Sequence, residues 1–240
     1  MNRILFEKSE IRDGVATCGG ARAEHILRVL HGEVGQALRT GEVGGRLGTG
    51  EIVAIGGGTV SVRVRHGEEP LPSWCDLVLA PPRPRVLKRL LPQLASLGVG
   101  RIVLVGAKKV ERDFWGATLL KEEVHRPLFV EGLMQAATGE MPSLVLRRNF
   151  ARFVRDELDA AFPTPNRVVA HPHADAAAPR PAGPGDGRLL LAVGPEGGWT
   201  DEELALLESR AFRRFSLGPR ILRTDTALVA LLSKLNKEET

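Results

Sequence analysis

Tyrosine is absent from the 240 residues, and aromatic side chains make up only 5% of them. Base-stacking across an exposed aromatic sheet is therefore not expected of any nucleic-acid contact the chain makes. Cysteine is nearly as scarce, with Cys18 and Cys75 alone. They stand far apart at no metal spacing, which argues against a disulfide framework or a zinc knuckle and suits a reduced, cytoplasmic setting. The N-terminus, MNRILFEKSE, has no long apolar stretch, and nowhere does the chain approach the roughly 18 uninterrupted apolar residues of a membrane span. Neither export nor membrane insertion is expected. Charge of one sign does not dominate: 33 Lys plus Arg against 29 Asp plus Glu leave +4, with a pI near 9.4. That bias suits an anionic partner without requiring one.

What is present falls into two textures. At 43% hydrophobic the chain can bury a proper core. From Met1 to Pro72 the apolar residues come in short runs, Arg3 to Phe6, Gln36 to Arg39, Glu51 to Ile55 and Thr59 to Val64, separated by glycine clusters. Such runs predict a small β-barrel, interrupted by one helix from Ala21 to Leu30 with Ile26, Val29 and Leu30 on its apolar stripe. Prolines at 70, 72, 81, 82 and 84 then change the pattern, and a domain boundary is expected at Pro72, giving domains 1–72 and 73–240. Beyond it, strand candidates Asp76 to Ala80, Arg101 to Val105, Leu144 to Arg147, Arg167 to Ala170, Leu189 to Val193 and Phe212 to Leu217 alternate with helical segments. Alternation of this kind predicts a mostly parallel sheet covered by helices, with ligands at the carboxyl ends of its strands. The stretch Ala174 to Gly187 offers almost nothing to bury and is expected to be a flexible surface loop.

Two segments carry the chemistry. In LLLAVGPEGGWTDEELALL an apolar strand runs into Gly194-Pro195-Glu196-Gly197-Gly198, and Thr200 with Glu203 forms a capping box that starts a helix near Asp201. Glycines at this density let main chain approach a ligand closely, or they simply solve a steric problem at a strand-to-helix turn. No lysine follows at phosphate-loop spacing, and Glu196 repels phosphate, so a neutral or cationic ligand is favoured. The second segment, FRRFSLGPRILRTDTALVALL, repeats the grammar, with Thr224 as the expected N-cap of an apolar helix. Arg220 and Arg223 stand at the start of that helix, where positive charge opposes the helix dipole, which points to service of a ligand or an RNA phosphate as bidentate donors. His171, His173 and Asp175 lack a further ligand at suitable spacing, so no metal is expected.

These two segments carry a resemblance. GPEGG (Gly194 to Gly198) followed by LGPRILRTDTA (Leu217 to Ala227) resembles the C-terminal signature of the 16S ribosomal RNA uridine-N3 methyltransferases of the SPOUT superfamily. His171-Pro172 after a strand agrees with it, and so does HILRVLHGEVG (His25 to Gly35), with His31 where the family has arginine. Two middle segments depart: Ser96 replaces a glutamate, and a polar stretch after Gln135 is replaced by Ala136 to Thr138.

The resemblance implies an α/β fold, a SPOUT trefoil-knot methyltransferase domain behind an N-terminal PUA-like β-barrel that binds RNA. It implies a homodimer, S-adenosylmethionine as cofactor and small-subunit ribosomal RNA as partner, with no membrane and no metal. Cofactor contacts map to Ala170, His171, Pro172, Val193, Gly194, Pro195, Gly197, Gly198, Leu217, Gly218, Ile221, Leu222, Thr226 and Ala227. In the expected chemistry Arg223 stabilises negative charge developing on the uracil, Arg220 holds nearby backbone and Thr224 positions the base. Glu196 either accepts the N3 proton or orders its own loop. Phosphate contacts are expected from Arg3, Arg22, Arg28, Arg83, Arg85, Lys88 and Arg89, each of which is otherwise a solvated surface charge. Two other readings stay open: a related methyltransferase acting at another RNA position, such as a ribose 2′-hydroxyl, and a non-catalytic ribosome-assembly factor of the same fold.

Overall fold

The computed structural model describes residues 3–172 and 187–236. The chain forms two compact units, Met1–Pro72 with Val130–Met141, and Ser73–Phe129 with Pro142–Thr240. The segment Ala174 to Gly187, apart from Gly187 itself, and the pair His173 and Asp175 lie outside the described residues.

The first unit is a curled six-stranded sheet resembling a half-barrel. Its strands β1 (Ile4–Phe6), β2 (Ile11–Arg12), β3 (Val15–Cys18), β4 (Ala37–Glu42), β5 (Leu47–Gly56) and β6 (Thr59–Glu68) lie in the order β1-β4-β5-β6-β3-β2. Alternation sets the inner face. In β6, Val60 and Val62 are fully buried, while Arg63 and Arg65 point out. Two register shifts in the β5–β6 pair, at Leu47/Gly48 and Ile52/Ala54, mark where the ladder is irregular and help the sheet to bend. The expected helix forms over 20–29, but not as one regular α-helix. Helix α1 (Gly20–Glu24) gives way to a π turn over His25–Val29, whose wider spacing shifts the helical phase. Ala23 and Ile26 are buried in consequence, and Val29, expected on the buried stripe, is 61% exposed.

The second unit is built on a six-stranded sheet, all parallel, in the order β12-β10-β11-β7-β8-β9. Along the chain come β7 (Cys75–Leu79), α2 (Pro84–Ser96), β8 (Val99–Val105), α3 (Glu122–Ala136), β9 (Ser143–Arg147), α4 (Phe150–Arg152) and α5 (Leu158–Ala161). Then follow β10 (Arg167–Ala170), β11 (Leu189–Val193), α6 (Asp201–Glu208), β12 (Arg213–Phe215) and α7 (Thr224–Leu235). From Val130 onward, α3 belongs to the first unit.

Every residue of β7 and β11 is buried, as a sheet covered on both faces requires. Val78, Val103, Val105, Leu190 and Ala192 join one cluster with Phe150, Phe153, Leu158, Trp199, Leu204 and Leu207. Helix α2, with Leu87, Leu90, Leu91 and Leu94 fully buried, packs against β8 and α7. Each such leucine contributes about 1.5–3 kcal/mol by leaving water. Strands β7, β8 and β9 progress towards one edge, whereas β10 and β12 lie beyond β11 on the other side. A crevice at the carboxyl ends of strands near such a reversal is where open α/β sheets hold ligands. No helix among the described residues is long and apolar enough to cross a membrane.

Candidate active site

Loops leaving the carboxyl ends of the adjacent strands β10, β11 and β12 meet around one cavity of about 660 Å³. It is lined by Ala170 to Pro172, Val193 to Trp199, Phe215 to Gly218 and Arg220 to Thr224, with Ala227 and Leu231 of α7 and Arg83 and Val86 at the start of α2. The volume lies within the range of sites for drug-sized ligands, about 300–1,000 Å³. Thr226, expected among the cofactor contacts, stands outside this lining because its place on α7 leaves it exposed, its backbone N–H donating to the Asp225 carboxylate at 3.0 Å.

The loop after β11 owes its shape to two glycines. Gly198, at φ +71, closes a turn by donating its N–H to the Pro195 carbonyl at 2.8 Å, a backbone conformation that side chains resist. At Gly194 a Cβ would stand 3.1 Å from Trp199 Nε1, so glycine is what lets the indole lie against the strand end. Trp199 is 7% exposed and packs on Phe150, ring centroids 5.1 Å apart. Its indole N–H is buried without a hydrogen-bond partner among the described residues, and Trp199 is one of the residues that line the cavity. An orphaned buried donor beside a cavity is a position where a bound acceptor offsets a standing desolvation cost.

Neighbouring segments fix the loop. The capping box of α6 forms as its sequence predicts: the Thr200 hydroxyl accepts from Glu203 N, and Glu203 Oε2 accepts from Thr200 N at 2.9 Å. The other oxygen of this buried carboxylate accepts from Lys108 N at 2.7 Å, tying in the loop after β8. Lys109 Nζ donates to the Gly197 carbonyl at 2.7 Å. On the far side, His171 N donates to Phe215 O at 3.0 Å, and the Ser216 hydroxyl donates to Pro172 O at 3.1 Å, joining the loops after β10 and β12.

The third loop delivers the arginines. Helix α7 begins at Thr224, with Arg223 rather than Thr224 at the N-cap position and no side-chain cap. Thr224 is instead buried within the first turn, at 8% exposure, and lines the cavity. Arg220 and Arg223 are exposed at the rim, as are Arg83 and Glu196. The Thr226 backbone N–H, helped by Arg89 and by the charge of Arg223 against a small burial cost, holds the Asp225 carboxyl below the usual carboxylate range. Among the described residues no group of three or more His, Cys, Asp or Glu could hold a metal ion.

The basic residues singled out for RNA separate into two sets. Arg3 donates to the carbonyls of Thr40 and Gly48 and is largely buried, and Arg22 is bonded to the Glu10 carboxylate and to Leu5 O, so both hold the first unit together. Arg28 is exposed in an ion pair with Glu24 on the same helical face. Arg85 and Lys88 are exposed on α2, Arg83 pairs loosely with Glu111, and Arg89 pairs with Asp225 at 3.2 Å. Sequence reasoning missed Trp199, Ser216 and Lys109. The sequence signal was available for Lys109, which sits in GAKKVER just past a strand end.

The pattern of the RNA methyltransferase domain family matches residues 69–236, more than half of the chain. The chain belongs to the RNA methyltransferase domain family. This RNA methyltransferase is 29% identical over 235 residues to the ribosomal RNA small subunit methyltransferase E of Treponema pallidum, covering 96% of this chain and 88% of that protein. Its fold matches the protein Lpg2936 of Legionella pneumophila, solved with bound SAM, at a TM-score of 0.74 and 25% identity over 97% of this chain and 96% of that one. It also matches the ribosomal RNA small subunit methyltransferase E of Neisseria gonorrhoeae, solved with S-adenosyl methionine, at a TM-score of 0.75 and 17% identity over 98% and 97%. The fold is therefore the mixed α/β fold of SPOUT-type methyltransferases.

Proposed function

We propose that the chain transfers a methyl group from S-adenosylmethionine to N3 of a uridine in small-subunit (16S) ribosomal RNA. The observation that carries this reading is the cavity: main chain from three strand ends, two of them turned by glycines, an unpartnered buried indole N–H, and arginines at the rim. These residues fit a ligand with amine, carboxylate and adenine groups and no phosphate, because the lining offers backbone donors and acceptors and no phosphate-cradling lysine. The relatives named for small-subunit ribosomal RNA and the neighbours solved with SAM support the coarser part of this reading, S-adenosylmethionine-dependent methylation of small-subunit ribosomal RNA.

S-adenosylmethionine supplies an electrophilic methyl group when bound. The loops Ala170 to Pro172, Val193 to Gly198 and Leu217 to Leu222 hold it through their main chain, with Trp199 offering its N–H to an acceptor. Thr224, buried at the cavity wall, positions the uracil. Arg223 stabilises the negative charge that develops on the base as N3 loses its proton, and Arg220 orders the rim beside it. Glu196 is exposed beside them, in reach of solvent to take that proton away. Under this reading the enzyme is a cytoplasmic homodimer, the first unit is a PUA-like RNA-binding domain, and the loops after β10 and β12 belong to a trefoil knot. Residues 173–186, across which such a threading would be traced, lie outside the described residues.

The test is methylation of small-subunit ribosomal RNA taken from a strain lacking the activity, followed by mass-spectrometric mapping of the modified base. The expected product is a single N3-methyluridine. Methyl on a ribose 2′-hydroxyl or on another base would overturn the N3 assignment, and a chain that binds no S-adenosylmethionine would support an assembly factor instead.

A further inference from the structure

The first unit contains eight arginines, at 3, 12, 22, 28, 39, 46, 63 and 65. Four of them have acidic partners: Arg3 with Glu68, Arg22 with Glu10, Arg28 with Glu24, and Arg46 with Glu69. The side chains of the other four, Arg12, Arg39, Arg63 and Arg65, are exposed and take part in no ion pair or hydrogen bond among the described residues. Strand register shows where they stand. Arg39 of β4 is opposite Thr49 of β5, which is opposite Arg65 of β6. In the adjacent row Glu51 is opposite Arg63, Arg63 is opposite Val15, and Val15 is opposite Arg12 of β2. Residues opposite one another in a ladder share a face, and so do residues two apart along a strand. All four unpaired arginines therefore lie on the outer face of this sheet.

We propose that this outer face is a docking surface for the sugar-phosphate backbone of the substrate RNA, with Arg39, Arg63 and Arg65 as its centre and Arg12 at its margin. Arg63 and Arg65 are about 7 Å apart along β6, and Arg39 lies about 10 Å from Arg65 across two strand spacings, so one stretch of backbone spans the group. The only carboxylate in these two rows is Glu51, and it leaves a net positive charge. Thr49 between Arg39 and Arg65, and the hydroxyls of Thr17 and Ser61, bonded to each other at 3.0 Å on an exposed position of β3 and a half-buried one of β6, add neutral donors for phosphate oxygens. Unpaired guanidiniums packed this closely repel one another, and a polyanion removes that cost while accepting bidentate hydrogen bonds. The absence of tyrosine and the lack of any aromatic residue in the two rows leave phosphate contact, rather than base stacking, as the mode of recognition. Arg3 and Arg22, which the sequence put forward for this task, are committed to internal carbonyls and carboxylates.

The proposal rests on the RNA methyltransferase reading, and its test separates the two. The full chain is titrated with a fluorescently labelled small-subunit ribosomal-RNA transcript over a series of salt concentrations, as wild type, as R39Q/R63Q/R65Q, as the charge-preserving R39K/R63K/R65K, and as R46Q, which removes a paired arginine. Removing one arginine from the phosphate backbone is expected to flatten the plot of log affinity against log salt by about 0.7–0.9, so the glutamine triple variant weakens binding roughly a hundredfold at about 0.1 M salt. The lysine triple variant and R46Q are expected to keep most of the wild-type slope, with S-adenosylmethionine affinity unchanged in all four. A glutamine triple variant with the wild-type slope and affinity would overturn the surface assignment. So would a wild-type affinity that does not vary with salt. Wild-type chain that binds RNA with the expected slope but transfers no methyl would overturn the functional reading alone.

Discussion

Replacing Glu203 with alanine should loosen the loop after β11 and lower stability together, because this one carboxylate closes two separate backbone gaps. Its Oε2 takes the Thr200 N–H at 2.9 Å, and its Oε1 takes the Lys108 N–H at 2.7 Å. A hydrogen bond to a charged acceptor contributes about 1.5–3 kcal/mol when buried. Both bonds are only partly buried and water can replace some of their strength, so the expected sum is about 2–3 kcal/mol. For a domain of this size that corresponds to a fall of roughly 4–12 °C in Tm. The assay is thermal unfolding by circular dichroism together with hydrogen exchange at the Lys108 and Thr200 amides, which should lose protection before the rest of the sheet. Cofactor affinity should fall as well, since Gly197 and Trp199 lie directly before the cap. An E203A protein with unchanged Tm and unchanged protection at Lys108 would refute the claim that this carboxylate holds the two loops together.

Three other outcomes follow from the same geometry. Arg223→Ala should lower turnover by about a hundredfold or more while leaving S-adenosylmethionine affinity within a fewfold of wild type, measured by single-turnover methylation and calorimetry. Trp199→Phe keeps the ring against Phe150 but removes a donor that has no protein partner, so Tm should hold while cofactor affinity drops about two- to tenfold, read by the same calorimetry. In the first unit, burial alone would raise the Glu10 carboxyl, but the Arg22 side chain, the Glu7 N–H and the Arg22 charge outweigh it and leave the group below the usual carboxylate range. A lowered folded value means the stabilisation is present above the unfolded pKa of about 4.3 and is lost as pH falls through the folded one, so the acid-side drop in Tm of the wild type should be shallower in Glu10→Gln.

The second unit was more legible than the first because its signals are long and redundant. Unbroken apolar runs as short as Leu189 to Val193, closed by Gly194-Pro195, fit central strands of a covered sheet, and Thr200 with Glu203 announces a helix start through two reciprocal bonds. The first unit depends on chain reversals whose signs are short. Strands β2 and β3 passed unnoticed although Asp13-Gly14 between them has φ +50 and +74, a tight two-residue hairpin turn, because Ile11–Arg12 is too brief to show alternation. The π turn after α1 moved Val29 to solvent, and no pattern of apolar residues encodes that extra residue per turn. At the site, the loops after β11 and β12 were legible from their glycines and arginines and the loop after β10 only from the resemblance carried by His171-Pro172, whereas Lys109 and Ser216 act through single hydrogen bonds to backbone that only the fold brings near. The arginines told least, since Arg3 and Arg22 differ from Arg39 and Arg65 not in sequence character but in what the sheet places beside them.

The most direct test of the cavity as the cofactor site is the indole N–H signal of Trp199 in a proton–nitrogen correlation spectrum during titration with S-adenosylmethionine. The chain has three tryptophans, and Trp74 already donates to Leu97 O at 2.7 Å, which makes it an internal control. The Trp199 resonance should shift progressively to saturation while that of Trp74 stays in place. Saturable binding of S-adenosylmethionine with the Trp199 resonance unmoved would place the cofactor elsewhere and contradict the account.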